Sequence, residues 1–114
     1  MSPEQHAKLI VDIAEEIVME RAIQIQEKGY TTKHDDEHDG GELCGAAACY
    51  AVNAACLLSP YTMQGLEEKD MSGLPWPDGW RWKPKDARRS LVIAAALILA
   101  EIEKFDRCLP AAQS

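Results

Sequence analysis

The sequence is short of what a membrane or secreted protein needs. Its longest strongly apolar run, Leu91 to Ala100, is about half of the roughly 20 residues that a bilayer span requires. The N-terminal MSPEQHAK lacks the basic-then-apolar order of a secretory signal. No basic stripe offsets the net charge of -7, which disfavours a nucleic-acid backbone or an anionic membrane as the main partner. The four cysteines, Cys44, Cys49, Cys56 and Cys108, match no zinc spacing, and there are no repeats, low-complexity tracts or strand-like alternation. These absences predict a cytoplasmic protein with reduced thiols, and 114 residues are enough for one domain only.

What is there reads as helix. Ser2-Pro3-Glu4-Gln5 offers a hydroxyl N-cap, a proline at the first helical position and a glutamine placed to close a capping box. The first helix is expected to run from about residue 3 to Lys28 and to end at Gly29. A second is expected from near Asp39 to Leu58, stopped by Ser59-Pro60, and a third from Pro84 or just after it to about Arg107. Residues 59–83, rich in Pro, Gly and Trp, read as a long ordered loop with a short turn of helix at most. The fold class is all-α: an antiparallel bundle of three main helices, with residues 29–38 linking at one pole and 59–83 at the other. Trp76, Trp80 and Trp82 are expected to plug one end, and the three cysteines of the second helix to lie in the core. The Ala-rich faces of the second and third helices permit close approach but leave little apolar volume, so a homodimer is expected.

Polar residues interrupt the apolar stripes. At 3-4 spacing the first helix reads Ile10, Ile13, Ile17, Glu20, Gln24, and the third reads Leu91, Ala94, Ile98, Glu101, Phe105. Glu42 shares a face with Ala46, Cys49 and Cys56. A buried carboxylate without a partner costs several kcal/mol, so each glutamate needs a reason. Antiparallel connectivity brings Glu42 and Glu101 to nearly the same height, with Glu20 and Gln24 at the same pole, beneath a segment with five acidic residues and two histidines between His34 and Glu42. Clustered like charges call for a proton, an arginine or a divalent cation. Oxygen donors suit Mg²⁺ or Mn²⁺, and His38, one turn before Glu42, favours Mn²⁺.

Structural alternatives use the same residues. Arg21, Arg88, Arg89 and Arg107 are available to pair with the glutamates. Asp36 or Asp39 is placed to act as N-cap of the second helix, which makes the acidic segment a solvated turn.

Two resemblances bear on function. The segment GELCGAA, Gly41 to Ala47, is similar to the G-E-L-x-x-A core of the first metal-binding helix in the all-α nucleoside triphosphate pyrophosphatases, the MazG-like and dimeric dUTPase-like group. From Glu20 to Arg107 the chain also resembles a group of small phage and prophage proteins through ERAIQ, KGYT, HDDEH, GEL, YA, WP, WKP, RR and AEIEKFDR. The pyrophosphatases hold Mg²⁺ with E-E-x-x-E on one helix and E-x-x-D on the next. Aligning their last glutamate on Glu42 puts His38 and Asp39 at the glutamate pair, while the second motif departs, reading Asp86, Ala87 and Ser90 at one candidate place and Glu101, Glu103 and Asp106 at the other.

The resemblance implies a metal-dependent pyrophosphohydrolase that releases pyrophosphate from a ribo- or deoxyribonucleotide substrate. Glu42, Glu101 and Glu20 would be the catalytic metal-binding glutamates, with His38, Asp39 and Asp36 completing the shell. Gln24, Lys28, Arg21 and Arg107 would bind substrate. The competing class is a non-enzymatic acidic phage-type protein that binds a host protein through its surface and its Trp-Pro loop.

Overall fold

The chain enters its first helix through the exchange that Ser2 and Gln5 allow. The Gln5 amide N–H donates to Ser2 Oγ at 3.1 Å, and the Ser2 N–H donates to Gln5 Oε1 at 2.8 Å, which closes the expected capping box. The computed structural model describes residues 1–27 and 41–108. Its helices are α1 (Pro3–Glu27), α2 (Glu42–Leu58) and α3 (Ala87–Cys108), with a 3-10 helix at Glu68–Gly73, and no strand occurs among the described residues. The fold is thus all-helical. None of the described helices is long and apolar enough to cross a membrane.

Two starts differ from the sequence expectation. The third helix begins at Ala87 because Asp86 is its N-cap, with Oδ1 accepting the Arg89 N–H at 2.7 Å. The second begins at Glu42, with Gly41 at the N-cap in a left-handed conformation (φ 74°) that glycine adopts without strain. Asp36 and Asp39, expected as caps, lie outside the described residues, and α3 supplies an acceptor to the start of α2, as described below.

The core lies between α2 and α3, which run antiparallel: Asn53 bonds Ser90 near one end, and Cys44 bonds Glu101 near the other. The alanine faces meet as expected. Ala46 and Ala47 of α2 and Ala94 and Ala100 of α3 are buried together with Leu43, Ile93 and Leu97. Each of these three large side chains contributes about 1.5–3 kcal/mol by leaving water. The buried face of α3 is Ser90, Ile93, Leu97 and Ala100, one step around from the expected stripe. Leu91, Ile98 and Phe105 are consequently exposed and Glu101 is only partly buried. The cysteines divide as well: Cys49 is buried, Cys56 partly so, and Cys44 faces out.

The segment after α2 does not stay at the far pole. It runs back along α2, because Gly45 has no side chain and lets the backbone of Pro75 approach so closely that a Cβ there would lie 2.2 Å from its carbonyl oxygen. Trp82 and Trp76 then pack on Tyr50 in the middle of α2, with ring centroids 4.9 and 5.9 Å away. Both indoles are satisfied, Trp82 Nε1–H by the Leu66 carbonyl at 3.1 Å and Trp76 Nε1–H by the Trp80 carbonyl at 2.8 Å. The tryptophans cover the flank of the helix pair rather than plug an end. Buried Asn53 fastens this segment, accepting the Leu66 N–H at 2.7 Å while its amide donates to the Lys85 carbonyl at 3.1 Å and to Ser90 Oγ at 3.0 Å.

The first helix packs on α3. Glu16 pairs with Arg88 and Arg21 with Glu103, so the C-terminal part of α1 runs in the same direction as α3. Among the described side chains of α1, Glu20, Arg21 and Gln24 are buried, and every residue from 3 to 15 is exposed. Ile10 and Ile13, expected in the core, lie on the part of the helix that extends beyond its packing partner.

Candidate functional site

Glu101 reaches the end of α2 that begins with Glu42, as the helix register requires. Glu42 is the first residue of α2, and Glu101 Oε1 accepts the N–H of Cys44, the third, at 3.3 Å. A helix N-terminus leaves its first amides without partners, and a carboxylate there is also favoured by the helix dipole. Both glutamates are partly buried at this pole, where the carboxylate from α3 does the capping that Gly41 cannot.

Glu20 has a different partner. It is 2% exposed, and both of its oxygens accept hydrogen bonds from Arg89 Nη2, the longer at 2.9 Å. A guanidinium thus supplies the countercharge that burial demands. The three glutamates do not form a common ligand set: no group of three or more His, Cys, Asp or Glu side chains able to hold a metal ion occurs among the described residues. His34, Asp35, Asp36, His38, Asp39 and Lys28 lie outside the described residues.

Arg21 and Arg107 converge on Glu103. Arg21 Nε donates to Glu103 Oε2 at 2.7 Å, and Arg107 Nη1 stands 3.8 Å from Glu103 Oε1. Glu103 fixes two of the four substrate-binding candidates. The spacing of Glu103 and Arg107, one helical turn, is a signal that the sequence carries. The pair between α1 and α3 that it does not carry is the bidentate contact of Arg88 with Glu16, at 2.7 and 2.9 Å. The hydrogen bonds from Arg88 hold the Glu16 carboxyl below its ordinary range, and Glu16 in turn raises the guanidinium. In the core between α2 and α3, burial pushes the Cys49 thiol up, as fits a packing group.

Gln24 is the remaining candidate and the least explained by packing. It is 1% exposed, one turn beyond Glu20 on the same face, and neither Oε1 nor Nε2 has a hydrogen-bond partner among the described residues. A fully buried amide with both ends unbonded is rare in native proteins.

No protein-family model, no curated protein and no solved structure matches this chain.

Proposed function

We propose that the chain is a divalent-metal-dependent nucleotide pyrophosphohydrolase, with its site at the pole where the N-terminus of α2 faces the C-terminal half of α3. The observation that carries this proposal is the buried amide of Gln24, which has no hydrogen-bond partner among the described residues. Leaving such a group unsatisfied costs about 1–3 kcal/mol, an expense that a ligand repays. An amide presents a donor and an acceptor side by side, the complement of a nucleobase edge.

Among the described residues, Glu42 and Glu101 are the carboxylates proposed to hold a cation at this pole. With Glu101 Oε1 on the Cys44 amide, Oε2 is the atom proposed for the ion. Their oxygens suit Mg²⁺ or Mn²⁺, and His38, Asp39 and Asp36, which precede α2 in the chain, are the further donors proposed. Such a cation, when bound, supplies charge neutralisation on the phosphates and a more acidic water. Glu20 then acts through Arg89 rather than as a ligand, and Arg21 is oriented by Glu103 toward phosphate oxygens.

The test is substitution of Glu42 and Glu101 by glutamine, which removes charge while keeping shape and, at 101, an acceptor for the Cys44 amide. Both variants should retain the melting temperature of the parent and lose metal-dependent nucleotide turnover. A fully active E42Q/E101Q double variant would rule out this site.

A further inference from the structure

Ten of the large apolar side chains that the fold leaves exposed belong to α1 and α3, and seven of them form two strips without a charged member. On α1 the strip is Leu9, Ile10 and Ile13, which continues into solvent the face that is buried farther along as Glu20 and Gln24. On α3 it is Leu91, Ile98, Ile102 and Phe105, with 7-, 4- and 3-residue steps that keep them on one side. That side is turned away from the α2 contact, and Ile10 and Phe105 are 54% and 60% exposed. A helical arm of this length gains little stability alone in water, so the fully exposed stretch from residue 3 to 15 implies a covering surface.

We propose that the cover is a second copy of this chain, with the α1 arm of each protomer lying on the α3 strip of the other. Three features select this occupant. Both strips are present on every copy, so two reciprocal contacts close a twofold dimer and leave neither strip over. Both are uncharged on a chain of net charge -7, which lets two acidic copies meet and gives a basic partner no particular hold. The seven side chains expose on the order of 600 Å² per copy, close to the roughly 800 Å² per partner of a standard interface once flanking atoms are counted. The alanine faces of α2 and α3 have no part in this contact, because they are already buried against each other.

The experiment is sedimentation of the full chain together with I13K, I98E and an I13K/I98E chain carrying both changes. The parent should sediment at twice the chain mass of 12.6 kDa. Each single variant should fall to the chain mass with its helical circular dichroism retained, since both positions are solvent-exposed within one copy. The double variant should recover the dimer, because every arm-to-α3 contact then joins a lysine to a glutamate; recovery also rules out misfolding as the cause of the single losses. A monomeric parent, single variants that stay dimeric, or a double variant that stays monomeric would each overturn the proposal, the last by showing that arm meets arm instead.

Discussion

Replacing Gln24 by methionine should make the protein more stable and less functional. Methionine matches the unbranched length of glutamine and is close to it in volume, so little new cavity or overpacking is introduced. Gln24 is 1% exposed, and neither amide atom has a hydrogen-bond partner among the described residues, so the desolvation of a donor and an acceptor goes without return there. At about 1–3 kcal/mol for an unsatisfied group, removing the amide should raise the unfolding free energy by roughly 2 kcal/mol. For a domain of this size that is a rise in Tm of about 8 °C. The assay is urea and thermal unfolding of both proteins without nucleotide, followed by nucleotide binding. Gained stability with lost binding is the signature of a residue kept for a ligand. A destabilised Gln24→Met protein would refute the reasoning, because it would mean that the amide is bonded within the folded chain.

Other consequences follow from the contacts that hold the helices together. Arg89→Ala should cost about 3 kcal/mol in urea unfolding by stranding the buried Glu20 carboxylate, and adding Glu20→Gln should recover most of it; a non-interacting pair would show simple additivity. Gly45→Ala should cost about 1–3 kcal/mol and change the near-ultraviolet tryptophan signal, since the new methyl displaces Pro75 and the indoles behind it; an unchanged spectrum would contradict the close approach. The Glu16 carboxyl is held below the 4.5 of a free side chain by Arg88, so the unfolded state takes up its proton first as the pH falls. Its contribution to stability is therefore full above about pH 4.5 and is lost as the pH drops through the lower folded value. Arg88→Ala should flatten that part of the acid limb in urea titrations, and an acid limb identical to the parent's would argue against the pair.

Much of the fold was legible because its signals are local. The Ser2 and Gln5 capping box, the stop at Ser59-Pro60 and the alanine faces depend on residues a turn apart, and they stand as the sequence implies. The heights of Glu42 and Glu101 were also accessible, because antiparallel connectivity and a fixed rise per residue determine them. Periodicity identifies an apolar stripe but does not say which neighbour it meets. Leu91 and Ile98 have the right spacing for a core and lie outside it, because the Ser90, Ile93, Leu97 face meets α2. The partner of Glu20 was one of several arginines in the sequence, and the choice of Arg89 depends on how α1 crosses α3, a long-range property. The return of the Trp-Pro segment along α2 depends on the missing side chain of Gly45, which in the sequence reads only as part of a small-residue run.

Nucleotide hydrolysis is proposed for the pole where Glu101 meets the N-terminus of α2, with Gln24 proposed to hold the nucleotide. It is tested most directly by pyrophosphate release from a panel of ribo- and deoxyribonucleoside triphosphates with Mg²⁺ or Mn²⁺, and again with chelator. Metal-dependent release from at least one nucleotide is expected, abolished by chelator and by Glu42→Gln. No release from any nucleotide, by folded protein saturated with metal, would contradict it and leave partner binding as the function.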